Sequence, residues 1–349
     1  MRSLMILLGL MSIFDARDSI GGDTVRVYVL AGQSNMEGKA KNSLWDYQAT
    51  AEPTREVFAH LRADDQWIER DDVFIKFLNR HGPLTLGYGS QGRSGAEYEF
   101  GYAMGQHHDD PVLLIKAAWG GHSLYKLFRS PSNPVSQTRL EEDLSRQQEQ
   151  IRKRNEKRNE DQPLPTLEQV RGEYGSSYRN MISEVKEVKQ NFETLFPALA
   201  GKTLKLSGVF WFQGWNDQYN GAELEYAANM QHFIKDVRRD LESPDLPLVI
   251  AVMGQNMSKE PKGAMKAIQD AQLSMESVPE LKHSVRAVRT DVLVDKAAEA
   301  LYPSWREKME QWERTGSDHA YHYLGSAIWF TRIGRECAKA MIELENLGG

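Results

Sequence analysis

Cysteine is almost absent: Cys337 is the only one in 349 residues. That excludes a disulfide framework and a cysteine-based zinc site. Basic charge is in short supply too. The 43 Lys and Arg are outnumbered by 49 Asp and Glu, for a formal net charge of −6, so nothing supplies a basic nucleic-acid footprint. No internal repeat is visible. No long membrane-spanning run is visible either: the apolar stretch Leu4–Phe14 is too short to cross a bilayer as a permanent helix. Arg2 ahead of that stretch gives residues 1–22 the layout of a signal peptide, which implies export to a periplasm or to the exterior. Asp15 and Arg17 stand where a cleavage site has small residues, so a leader that is never cleaved stays open. The whole chain has the 40% hydrophobic and 26% charged make-up of an ordinary soluble globular protein, and residues 23–349 read as one domain.

Five β-rich runs punctuate that domain: Val25–Leu30, Val112–Ala117, Leu206–Phe212, Leu246–Met253 and Val285–Val292. Several are continuously apolar, as strands of a parallel sheet covered on both faces are. Helical spacing separates them, in Tyr178, Met181, Ile182, Val185 and Val188, in Met230, Phe233, Ile234, Val237 and Leu241, and in a closing helix over Leu324–Leu344. The alternation predicts an α/β fold, a doubly wound, flavodoxin-like, five-stranded parallel sheet with helices on both faces. Residues 138–162 are almost wholly polar and charged. They read as a charged helical insertion, a solvated helix more readily than a lid or partner-binding arm. Residues 41–95 and 293–317 carry no strong pattern and read as excursions around the sheet, which tend to carry a site.

In such sheets ligands bind beyond the carboxyl ends of the strands. The first strand runs into Gly32-Gln33-Ser34-Asn35-Met36, the second into Gly120-Gly121-His122-Ser123, the third into Gln213-Gly214-Trp215-Asn216-Asp217. Any one is an ordinary turn, and Ser34 alone could be a helix cap. Together with Asp318, His319 and His322 ahead of the last helix, they supply the parts for acyl transfer: a nucleophile, oxyanion donors, a base and a carboxylate to orient it. Met36 stands where the Gly-x-Ser-x-Gly elbow has its second glycine, so the α/β-hydrolase pattern does not apply.

The blocks GQSNM at 32–36, GAEYEFG at 95–101, GGHSL at 120–124, WFQGWND at 211–217 and HYLGSA at 322–327 resemble the SGNH-hydrolase superfamily, in its sialate O-acetylesterase-like branch with carbohydrate esterase family 6. The resemblance implies Ser34 as nucleophile and His322 as base. It implies oxyanion donors in the Ser34 N–H, the N–H of Gly121 (or Gly120) and the Gln213 side chain. It also implies an acetylated carbohydrate (sialic acid, xylan or another glycan) as substrate, with no metal and no cofactor. Two departures stand out. Relatives place the catalytic Asp three residues before the His, where this chain has His319, and Asp318 lies four before His322. Asp318 as the third member, a Ser–His dyad, or Asp318 as a cap all stay open. Trp215 stands where many relatives have Glu, and suits either sugar stacking or the core. His122 likewise suits a substrate contact or packing, and Gln33, Asn35 and Asn216 complete the candidate substrate-binding set.

Three rival readings stand beside it. A metal hydrolase would have to use His107-His108-Asp109-Asp110, which lacks the i, i+4 histidine pair and reads as a solvated helix end. A glycan-binding relative that has lost turnover is the alternative from a different class. A lipid esterase or thioesterase would call for a long apolar groove, which the polar motif loops do not suggest.

Overall fold

The computed structural model describes residues 22–348. Residues 1–21 of the expected leader lie outside the described residues. Among the described residues no helix is long and apolar enough to cross a membrane.

The sheet has seven strands, not five. They are β1 (Thr24–Gly32), β2 (Arg70–Phe77), β3 (Arg80–Leu84), β4 (Val112–Ala118), β5 (Thr203–Phe212), β6 (Leu248–Val252) and β7 (Val285–Arg289). Their order is β7-β6-β5-β1-β4-β2-β3. Every pairing is parallel except β2 with β3. The five strands expected from their apolar runs are all present, and among themselves they follow the flavodoxin-like order. The two added strands come from the patternless 41–95 excursion. β2 opens on Arg70-Asp71-Asp72, and the edge strand β3 contains Gly82 and Pro83, a place where proline is tolerated because one side of the strand needs no donor.

Alternation along β1 splits the core. Tyr28 and Leu30 pack with the helices α2 (Glu97–His107) and α6 (Ala327–Gly348) on one face. Val27, Val29 and Ala31 pack on the other with α4 (Ser176–Gln190) and α5 (Tyr226–Asp240). The apolar positions expected on those two helices are all buried. Both faces of the sheet are covered, so the strands read as near-continuous hydrophobic runs. The last helix starts at Ala327 rather than Leu324, because Tyr323, Leu324 and Gly325 are left-handed, with φ of 53°, 61° and 54°.

The charged segment is the helix α3 (Gln137–Arg158), opened by Ser136, whose side chain accepts from the Arg139 N–H, and closed by left-handed Asn159. Only Leu140 and Asp143 of α3 are buried. Leu140 joins a small cluster with Tyr125, Val170 and Tyr174, half-buried Leu144 packs against it, and most of the other positions of the helix are exposed.

Candidate active site

β1 is flanked by β4 on one side and β5 on the other, so the chain leaves its carboxyl end at the switch point of the sheet, where a crevice opens. The short helix α1 (Ser34–Glu37) begins there. Gly32 lets it do so: a Cβ at this position would lie 2.2 Å from the Phe212 carbonyl oxygen at the end of β5. Ser34, 6% exposed, therefore sits where the three motif turns converge.

Its hydroxyl is 3.1 Å from His322 Nε2. On the far side of the ring, Nδ1 lies 3.2 Å from Asp318 Oδ1. That contact has the distance of an ion pair without hydrogen-bond alignment, since Nδ1 has no aligned acceptor. Asp318 is held firmly instead by others: Oδ1 accepts the His319 N–H at 2.7 Å and Oδ2 accepts Arg93 Nη1 at 2.7 Å. Burial works to raise the Asp318 pKa, but the close His322 ring, the His319 N–H and the charge of Arg93 outweigh it, and the net shift is downward. The carboxylate stays ionised at neutral pH.

The four-residue spacing closes because the segment is folded on itself. The Leu324 carbonyl accepts both the Ser317 and Asp318 N–H, and the His319 carbonyl accepts those of His322 and Leu324. A Cβ on Gly325 would lie 2.8 Å from the Asp318 Cβ and 2.6 Å from its nitrogen, so the left-handed turn needs glycine there. Tyr323 anchors the loop from below, accepting the Gly254 N–H and bonding Thr290 Oγ1, each at 2.9 Å. Asn35 Nδ2 holds the Tyr321 carbonyl at 3.2 Å.

Gln33 is a clamp. Buried at 2% exposure, its Oε1 accepts from Gln213 Nε2, Gly214 N and Asn216 N, each at 3.3 Å, and its Nε2 donates to Asn216 Oδ1 at 3.2 Å. The side chains of Gln33 and Asn35 are thus engaged by protein. Gln213 is committed in the same way, its Nε2 reaching Asp217 Oδ2 at 2.5 Å and the His122 carbonyl at 3.2 Å. The amide that faces the second turn belongs to Asn216: its Nδ2 lies 3.8 Å from where a Cβ on Gly121 would stand. Of the glycine pair, Gly120 gives its N–H to Glu37 Oε1 at 2.7 Å. The Gly121 and Ser34 N–H groups have no backbone or side-chain acceptor among the described residues.

Asp217 ties two of the turns together, accepting from Leu124 N, Tyr125 N and Gln213 Nε2. Complete burial pushes its pKa up to about 6 against those hydrogen bonds. His122 is fastened from behind, Nδ1 to Ser177 Oγ at 2.6 Å, with its ring stacked on Trp119. Burial, opposed only in part by the Glu37 carboxylate, lowers its pKa. Trp215 is half-buried and meets the Tyr321 ring at 6.0 Å.

Beneath the turns lies Lys116, which sequence reasoning passed over. It is fully buried near the end of β4, where it donates to the Glu37 and Tyr88 carbonyls at 2.8 and 2.9 Å and pairs with Glu97 at 3.1 Å. A lone lysine in the apolar run VLLIKAA was the available signal. Arg93 and Glu37, by contrast, sit in ordinary polar context and carry none.

Away from this site, His107, His108 and Glu345 bring three potential metal-ligand atoms within 4.8 Å of one another. The Tyr28 hydroxyl already bonds both His108 Nε2 and Glu345. Tyr28 lies six residues before Ser34, roughly 20 Å along a strand, so the cluster is not part of the crevice.

A family model described as carbohydrate esterase, sialic acid-specific acetylesterase, matches residues 24–160 and 165–299. The chain belongs to this family. It is accordingly SGNH-like and of the sialate O-acetylesterase-like branch. The matched residues contain Ser34, the glycine pair and the Gln213–Asp217 turn but stop short of Asp318 and His322. No curated protein matches the chain. Similar solved structures include a protein from Arabidopsis thaliana at 15% identity, covering 78% of this chain and 87% of that one, TM-score 0.45. A carbohydrate acetylesterase from Xanthomonas citri is 12% identical, with coverage of 77% and 51% and a TM-score of 0.44. NanS is 13% identical, with coverage of 77% and 79% and a TM-score of 0.43.

Proposed function

We propose that the protein is a serine-dependent O-acetylesterase that removes acetyl groups from a carbohydrate, through an acetyl-Ser34 intermediate. The observation that carries this reading is the line from Ser34 Oγ to His322 Nε2 to Asp318. A serine hydroxyl becomes nucleophilic when an imidazole within reach takes its proton. His322 takes that proton as Ser34 Oγ bonds to the acetyl carbon, then returns it to the departing sugar oxygen as the ester C–O bond breaks. Water, deprotonated by the same nitrogen, attacks the acetyl-enzyme and releases acetate, with the proton going back to Ser34. The ionised Asp318 stabilises the imidazolium formed in each half-reaction. The substrate is an O-acetylated sialic acid, xylan or related glycan, and an exported enzyme would meet such material.

The tetrahedral oxyanion needs fixed donors. The Ser34 and Gly121 N–H groups are uncommitted, and so is Asn216 Nδ2, whereas Gln213 would have to break a bond to Asp217, Gln33 or the His122 carbonyl. We therefore assign the third donor to Asn216 and give Gln213 the task of holding the turn. Asn216→Ala is expected to lower kcat by about 10²–10³-fold, with a smaller fall in the thermal midpoint than Gln213→Ala, because only the Gln33 Nε2 bond to its Oδ1 is lost. Gln213→Ala should lower kcat and the midpoint together, because it strips a donor from buried Asp217. A rate loss confined to Gln213→Ala at unchanged stability would return the role to Gln213.

The chemical test is to trap the intermediate. Acid quench during turnover of p-nitrophenyl acetate, followed by peptide mass mapping, should find one acetyl group on the peptide containing Ser34. Steady acetate release with no acetylated protein at any time point would rule out this mechanism.

A further inference from the structure

The aromatic rings at the site continue away from it. The Tyr321 ring, 39% exposed, lies 4.4 Å from His322 and edge-on to it. His319 is stacked on Tyr321 at 5.2 Å, and Trp305 meets His319 edge-on at 5.7 Å. Trp305 is braced by Tyr302, parallel at 6.5 Å, and by buried Trp312 at 6.0 Å. Beside it opens a groove of about 550 Å³ lined by Trp305, Tyr47, Met309, Lys41 and Ser317 among others. Tyr47 and Met309 are 42% and 43% exposed. The groove starts at Ser317, the residue before Asp318, and its size is that of a small-ligand site.

None of Trp305, Tyr47 and Met309 takes part in the acyl transfer. Trp305 is half-buried at the margin of the main core with the guanidinium of exposed Arg306 over its ring, and Tyr47 carries that of exposed Arg314, so a ligand reaches these faces by displacing a solvated side chain. Rigid aromatic faces with a few polar groups at the edge suit a ligand that is apolar on its ring face and polar at its rim. A pyranose is such a ligand, with C–H groups on its faces and hydroxyls within reach of Lys41 and Ser317. We propose that this groove is a subsite for a further sugar of the substrate, so that the enzyme acts on acetylated oligosaccharides or polysaccharides in preference to a free acetylated monosaccharide. The occupant is the substrate's own chain because the rings run without a break from His322 to the groove. The proposal rests on the esterase reading above.

Chain length tests it. Rates would be compared on p-nitrophenyl acetate, on acetylated xylose and sialic acid, and on acetylated tetramers of the same sugars. The tetramer of the true substrate should exceed its monomer in kcat/KM by about threefold to tenfold, the worth of an aromatic contact. Trp305→Ala should erase that advantage through KM, Trp305→Tyr should keep part of it, and both should leave p-nitrophenyl acetate turnover unchanged. Tyr47→Ala, on an exposed helix side chain, repeats the test should the Trp305 variants fail to fold. A wild type that cleaves p-nitrophenyl acetate but gains nothing from chain length on either sugar, by equal rates or by no turnover, overturns the subsite. So does an equal loss on all substrates in Tyr47→Ala. Failure of the esterase reading looks different: p-nitrophenyl acetate turnover would survive Ser34→Ala.

Discussion

Ser34→Ala is expected to lower kcat for acetate release by about 10⁴-fold or more, with the folded protein unchanged. The size follows from how the residues act as a unit. Without the Oγ there is no acyl acceptor, and His322 Nε2, 3.1 Å away, has no proton to take. His322→Ala should cost a similar factor, because an un-ionised serine hydroxyl is a poor nucleophile. The double variant should be hardly worse than either single one, since groups that work together are grossly non-additive. Residual rate would come from the oxyanion donors alone. Acetate release by the two single variants and the double one, with thermal midpoints as a control on folding, checks the claim. Additive losses in the double variant would mean that Ser34 and His322 act in separate steps, and a Ser34→Ala protein with near-wild-type kcat would remove the nucleophile from the scheme.

The sequence exposed this arrangement unevenly, for physical reasons. Strands buried on both faces must be apolar at nearly every position, so β1, β4, β5, β6 and β7 announce themselves. β2 and β3 lie toward one edge, where Arg70, Asp71, Asp72 and Pro83 are tolerated, and a periodic pattern has nothing to hold on to. The same contrast divides the site. Ser34, the glycine pair and the 213–217 turn follow strands directly, so their shared rim could be inferred from topology. Whether Asp318 could reach His322 across four residues could not, because the answer depends on three successive left-handed residues, Tyr323, Leu324 and Gly325. Two of the three are residue types that rarely adopt such angles. Gln213 illustrates a different limit. Its residue type suits a donor, but only the positions of Asp217, Gln33 and the His122 carbonyl reveal that its amide is already spent.

Lys116→Met is expected to destabilise the protein by about 3–5 kcal/mol, the cost of breaking a buried ion pair by removing one partner. The lysine is completely buried, and burial lowers its pKa even though Glu97 opposes that shift. Its charge is kept by what surrounds it: the Glu97 carboxylate at 3.1 Å and the carbonyls of Glu37 and Tyr88. Methionine has a similar volume, so the loss comes from chemistry rather than from a cavity. The Glu97 carboxyl would be left buried without its cation, keeping the Gly95 N–H at 2.9 Å, and two carbonyls would lose a donor. Pairing Lys116→Met with Glu97→Gln should recover part of the loss, as coupled neighbours do. The damage should also reach the reaction. Glu37 ends the helix that begins at Ser34, its carbonyl is held by Lys116, and its carboxylate fixes Gly120. A freed Glu37 therefore loosens the nucleophile and the adjoining turn at once. Urea unfolding midpoints and kcat for the single and double variants measure both consequences. A single variant within about 0.5 kcal/mol of wild type, as is usual for surface changes, would mean that Lys116 is a passenger and that the turns are held by Asp217 and Gln33 alone.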